Sequence, residues 1–267
     1  MKQSSELEPR GLVPFFIITF AWSWLFWLPS VMSPTGYSEP LHYALFFIGA
    51  FGPFVGAFSL TYLNEEKEGV KKLWNRFWDF NVEKKWLLTS LLFFPALYGV
   101  SYVIAHLIQG KSPALAWISQ PSLLISYLTI SFIGGGFCEE FGWRGYALDR
   151  LQSRYNAFTS SLILGVVWGF WHIPLWFIVG DSHSAEGLPM FFLFLLDILF
   201  LSVLFTWLYN NTRRSILPAV VLHTMHNFMT KLNLISGVSG PIYIILFYLI
   251  PIIIVIKYGS KSLVISH

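Results

Sequence analysis

The apolar residues of this chain neither alternate with a strand period nor form one helical stripe. They run in long blocks separated by short polar breaks. Blocks of about 18 or more apolar residues are long enough to cross a bilayer as helices. Eight blocks are readable, at approximately 12–32, 41–63, 86–108, 121–143, 158–180, 189–209, 215–233 and 241–257. The pattern predicts an all-α fold: a polytopic membrane helix bundle of about eight transmembrane helices, one domain over residues 1–267. In the second block, GAFGPFVG predicts a kink at Gly52–Pro53. The fourth block can be followed in helical register past Tyr146 towards Arg154.

One long polar stretch, Asn64 to Lys85, reads NEEKEGVKKLWNRFWDFNVEKK. Its Leu73, Phe77 and Phe80 recur at helical spacing among charges. That pattern predicts an interfacial amphipathic helix over 64–85. With the loops assigned alternately from a cytoplasmic N-terminus, all but two of the 17 Lys and Arg residues fall inside; Lys111 and Lys231 fall outside. This asymmetry predicts cytoplasmic N- and C-termini.

Composition sharpens this picture. Only 12% of residues are charged, against about 25% in a soluble domain. The abundant Trp and Phe are expected mainly at the lipid-facing surface and interfacial belts. The basic residues flank spans and form no stripe, so no nucleic-acid partner is expected. A single cysteine, Cys138, excludes an internal disulfide and a multi-cysteine metal site. The first block lacks a small-residue cleavage site and reads as a retained span. Short loops and the lack of a targeting extension point to a prokaryotic inner membrane.

Ionisable side chains at membrane depth are costly and mark functional positions. Here they are Glu139 and Glu140 late in block four, His172 in block five, Asp197 in block six, and His223 and His226 beside Asn227 in block seven. Glu140 and Arg144 stand four apart and can pair on one helix face. Glu139 points about 100° away and is left without a partner in its own helix. A carboxylate so placed is a candidate general base; the alternative is that both glutamates are solvated at a helix end. His223 and Asn227, also four apart, can aim two donors at one point. His226 and Asp197 are expected to be structural, each with a hydrogen-bond partner on a neighbouring span, a Ser, Tyr or Trp for Asp197. Cys138 is read as a small packed residue. Gly134, Gly135 and Gly136 allow close helix approach or a local break.

Three separated pieces align: EEFGWR at 139–144, WGFWH at 168–172 and HTMHN at 223–227. Together they resemble the CPBP family of intramembrane proteases, which includes the CAAX prenyl proteases of the Ras-converting type and bacteriocin-immunity or lysostaphin-resistance proteins. The family pattern is Glu-Glu-x-x-x-Arg, then Phe-x-x-x-His, then His-x-x-x-Asn or Asp, and the resemblance covers about 120–255. Trp168 replaces the pattern's Phe; it keeps an aromatic on that face and is expected to reshape the pocket without changing the chemistry. The resemblance implies a glutamate endopeptidase acting near the cytoplasmic membrane face. Glu139 would activate water with help from His172, and His223 and Asn227 would stabilise the oxyanion. Glu140 and Arg144 would support the geometry. No cofactor is expected. Zinc on two His and one Glu is the alternative, disfavoured because no HExxH is present. The expected partners are membrane lipid and a protein or peptide substrate, lipidated or not. Two other functions compete. One is a non-catalytic immunity or scaffold protein. The other is a proton-coupled transporter, against which stands the lack of an inverted repeat.

Overall fold

The computed structural model describes residues 11–109, 120–232, 234 and 237–264. Lys2, Arg10 and Lys111 of the charge analysis lie outside them. Among the described residues the regular structure is all helical. The long elements are α1 (Leu12–Met32), α2 (Pro40–Ala50), α3 (Gly52–Asn75), α4 (Lys84–Gln109) and α5 (Ser122–Gln152). They continue with α6 (Ala157–Trp171), the short α7 (Ser182–Glu186), α8 (Phe191–Asn211), α9 (Leu217–Lys231) and α10 (Ser239–Tyr258).

Six of these passes are long and apolar enough to cross a membrane: α1, α4, α5, α6 with its 3₁₀ extension to Phe177, α8 with the turn from Leu188, and α10. The chain is an integral, multi-pass membrane protein. The pair α2 and α3, bent by 40°, makes a seventh span if taken as one. The bend falls at Phe51, beside the predicted Gly52–Pro53. The eighth expected position holds α9, whose 15 residues extend only about 22 Å. The expected eight spans are therefore six by length and composition, or seven with the bent pair.

Two further boundaries differ from the sequence reading. The polar stretch is helical only to Asn75, with a break at Glu66 (φ 53°, ψ −152°). Arg76 ends the helix because its carbonyl is taken by Ile216 N–H at 3.0 Å and by the Ser215 hydroxyl at 3.2 Å. Leu73 and Phe77 pack inward, whereas Phe80 is exposed. The fourth block runs on to Gln152, and Cys138–Leu151 are buried without interruption. Glu139 therefore stands in the middle of a 31-residue helix, not near its end.

Charges beyond Glu139 are tolerated because they are paired. Asp149 takes Arg76 at 3.1 Å, Arg214 at 3.4 Å and the Tyr209 hydroxyl at 3.0 Å. Arg76 also donates to the Gly145 carbonyl at 2.8 Å and to Tyr209. This knot ties the end of α3 to α5 and to the α8–α9 turn, and so fixes where α9 starts.

The core between the helices is rich in Trp: Trp27, Trp143, Trp168 and Trp171 are fully buried. Trp78 is exposed, whereas these four lie inside the bundle and not at its surface. Indoles fill a large volume and bring a donor with them.

Helix α5 contains two π-helical segments, Phe132–Phe137 and Trp143–Leu148, on either side of the glutamates. Such wide turns are frequent at functional positions. The first holds the triple glycine. A Cβ on Gly136 would lie 2.5 Å from the Val220 carbonyl and 2.6 Å from Thr224 Oγ1 on α9. Only a glycine lets these backbones meet. Gly136→Ala should therefore cost about 1–3 kcal/mol through overpacking. Gly99→Ala, with nothing within 4 Å of its new methyl, should be neutral. Thermal unfolding of the two variants in detergent measures the contrast.

Candidate active site

Helices α5, α6 and α9 bring the three sequence pieces together. Glu140 is fully buried, and so is Arg144 one turn on; Arg144 Nη1 donates to Glu140 Oε1 at 2.9 Å. His223 Nδ1, from α9, lies 2.7 Å from the same oxygen. An ionised carboxylate only accepts, so Nδ1 donates and Nε2 is the ring nitrogen left for chemistry. The predicted pair is thus a three-membered cluster across two helices. The Arg144 guanidinium carbon also lies 4.6 Å from the Trp168 ring centroid and 4.1 Å from that of Phe205. These cation–π contacts add to the single ion pair, while among the described residues Nε and Nη2 have no hydrogen-bond partner.

Glu139 points away from this cluster, as the 100° step predicts. It is not without a partner in its own helix, however. Trp143 stands four residues on, and its indole N–H donates to Glu139 Oε2 at 3.1 Å. Trp168 of α6 donates to the same oxygen at 2.7 Å. Among the described residues Oε1 receives no donor. Nor are the glutamates solvated at a helix end, since Glu139 is only 4% exposed and Glu140 is 0%. Both indoles were legible as i, i+4 neighbours of site residues, Trp143 of Glu139 and Trp168 of His172. In the sequence Trp168 reads only as an aromatic that shapes the pocket, and neither N–H group is read as a donor to Glu139. A Phe in the place of Trp168 could not make this bond to Glu139.

His172 ends α6, and its Nδ1 lies 2.8 Å from the Trp168 carbonyl. A carbonyl only accepts, so Nε2 is again the nitrogen left over. The ring packs against Trp171, with centroids 4.7 Å apart. Asn227 stands one turn beyond His223 on α9. A Cβ on Gly135 would lie 2.2 Å from Asn227 Nδ2 and 3.4 Å from His223 Nε2. Both nitrogens therefore converge on the bare face of Gly135, one turn before Glu139.

The remaining intramembrane groups separate from the site. Asp197 accepts from the Tyr248 hydroxyl of α10, the structural partner expected for it. His226 lies against the Phe94 ring at 4.6 Å, and its buried Nδ1 has no hydrogen-bond partner among the described residues. The interhelical bond expected there is not made at that nitrogen. Cys138 is buried, 3.5 Å from the Gly135 carbonyl. Among the described residues no three His, Cys, Asp or Glu side chains converge as a metal-ligand group.

Comparison with known proteins agrees with this geometry. The sequence model of the family described as Type II CAAX prenyl endopeptidase Rce1-like matches residues 119–229, the stretch that carries all three pieces. A protein of Methanococcus maripaludis named CAAX prenyl protease 2 is 27% identical over 234 residues, covering 83% of this chain and 84% of its own. The three motifs, gathered by helices α5, α6 and α9 of a membrane bundle, lie in the stretch that is similar to this family of endopeptidases.

Proposed function

We propose that the protein is an intramembrane endopeptidase of the CAAX-protease type that uses a glutamate-activated water. Glu139 takes a proton from the water as its oxygen attacks the substrate carbonyl. The water is held with help from His172. The new oxyanion is met by Asn227 Nδ2–H and by His223 Nε2–H, the latter with the ring protonated at both nitrogens. The proton on Glu139 then passes to the leaving amine. One observation carries this reading: two nitrogens of α9, Asn227 Nδ2 and His223 Nε2, lie against Gly135, one turn before the buried Glu139 carboxylate. Preorganised donors in a dry site act most strongly on developing charge. The reaction needs no metal in this reading.

The substrate is a protein or peptide held at the membrane, with a lipidated chain end in the class that the archaeal relative's name indicates. Cytoplasmic termini rest on the loop assignment over the eight sequence blocks, which places fifteen basic residues inside against two, and a prokaryotic inner membrane rests on the short loops.

Glu139→Gln should lower cleavage of a quenched fluorescent peptide by about a hundred- to ten-thousand-fold, with insertion and thermal unfolding unchanged. The wild-type rate should survive a zinc chelator. Cleavage untouched by Glu139→Gln would overturn the mechanism, and cleavage lost to the chelator would move it to a metal. A well-folded wild type that cleaves nothing while protecting cells would favour the binding-only function.

The supporting pair has its own signature. Arg144→Met leaves Glu140 buried without its cation, at a cost of about 3–5 kcal/mol. Adding Glu140→Gln should restore much of the stability, since the charge that needed Arg144 is gone. Activity should stay low in the double variant, because His223 then faces a neutral amide. Thermal unfolding and peptide cleavage, measured on both variants, separate the two effects.

A further inference from the structure

Trp168 touches four members of the site, and only one of these contacts needs an indole. Its carbonyl takes His172 Nδ1 at 2.8 Å. Its ring lies 4.6 Å from the Arg144 guanidinium and edge-on to His223 at 5.4 Å. A phenyl ring would keep all three. The fourth contact is the indole N–H on Glu139 Oε2 at 2.7 Å, which a phenyl ring cannot make. Trp143 supplies a second donor to that oxygen at 3.1 Å, from α5 instead of α6.

The terminal torsion of a glutamate is broad, so an unrestrained carboxylate presents either oxygen in many orientations. Two donors from two helices on one oxygen remove that freedom. They also distinguish the two oxygens, since Oε1 receives no donor from the described residues. Both indoles are themselves locked: Trp143 is 0% exposed and Trp168 1%. Trp143 packs edge-on to Phe15 at 5.7 Å and to Trp171 at 5.8 Å.

We propose that Trp168 is a positioning residue, which together with Trp143 holds Glu139 by Oε2 so that Oε1 alone meets the attacking water. This rests on the endopeptidase reading above. Rate depends steeply on such alignment, because a small misplacement of a reacting atom removes much of the proximity effect. Trp168→Phe removes the donor while keeping the ring beside Arg144 and His223 and the backbone bond to His172. Its effect therefore isolates the hydrogen bond.

The test uses full-length protein in detergent with ¹⁵N-labelled tryptophan. The indole N–H signals of Trp168 and Trp143 are identified by their loss in Trp168→Phe and Trp143→Phe. Both should move upfield in Glu139→Gln, where a neutral acceptor replaces the carboxylate. If neither moves, the clamp does not exist. With a quenched fluorescent peptide that wild type cleaves and Glu139→Gln does not, Trp168→Phe should lower kcat about ten-fold or more. KM should stay within about two-fold, the mark of an interaction that acts in the transition state. Wild-type kcat in Trp168→Phe would reduce the indole to packing and overturn its positioning role. Failure of the endopeptidase reading looks different: cleavage is absent from wild type or persists in Glu139→Gln. The catalytic part of the proposal then falls with it, while the indole spectrum still decides the clamp.

Discussion

The site depends on one buried charge, the Glu140 carboxylate. Moving a carboxylate and a guanidinium out of water costs several kcal/mol each, and their attraction only partly offsets this. Such a pair is a poor device for stability. Its value here is directional. One oxygen of Glu140 collects Arg144 from its own helix and His223 from α9, at 2.9 Å and 2.7 Å. That shared acceptor selects which nitrogen of His223 remains free and sets the distance between the two helices at the depth where Glu139 projects. Arg144, in turn, packs against the rings of Trp168 and Phe205, which meet edge-on beside it. The charge cluster and the aromatic cluster therefore specify each other's positions.

This arrangement requires helices closer than ordinary side chains permit. Gly135 and Gly136 supply the approach, one beneath Asn227 and His223 and the other against the Val220 carbonyl. The π-helical turns around them change the angular step along α5. Glu139 then faces Trp168 on α6 while Glu140 faces His223 on α9. Helix α9 is short and anchored at its start by the backbone bond between Ile216 and Arg76. Its register against α5 is consequently set at two points, the polar knot around Asp149 and the glycine contact, with His223 between them.

Much of this was legible in the sequence because membrane spans and i, i+4 relations are short-range. The pairing of Glu140 with Arg144, the opposite aim of Glu139, the kink beside Pro53 and the common face of His223 and Asn227 all follow from helical geometry. What could not be read depends on neighbours far along the chain. Arg144 and Arg150 resemble charges at the end of a span, yet α5 continues to Gln152. Arg144 is paired with Glu140, Arg150 lies 3.9 Å from the Glu65 carboxylate and over the Tyr146 ring, and Asp149 between them is paired with Arg76, 73 residues before it. The helix expected to reach residue 85 stops at Asn75 for the same kind of reason, a carbonyl captured by the distant Ile216. Trp168 was visible as an aromatic, but its N–H acquires meaning only once α6 is laid against α5.

Burial along α5 also constrains how anything reaches the base. Every residue from Cys138 to Leu151 is buried, and the end beyond them is closed by the knot of Arg76, Asp149, Tyr209 and Arg214. The site residues that keep partial exposure are His172 and Asn227. The same asymmetry accounts for the division of labour among the polar groups. Those on the closed side, Glu140 and Arg144, have only each other, His223 and aromatic rings as partners, which suits them to hold a shape. His172 and Asn227, which are partly exposed, each keep polar atoms uncommitted: Nε2 of His172, an acceptor because Nδ1 carries the proton, and the amide N–H groups of Asn227, which are donors.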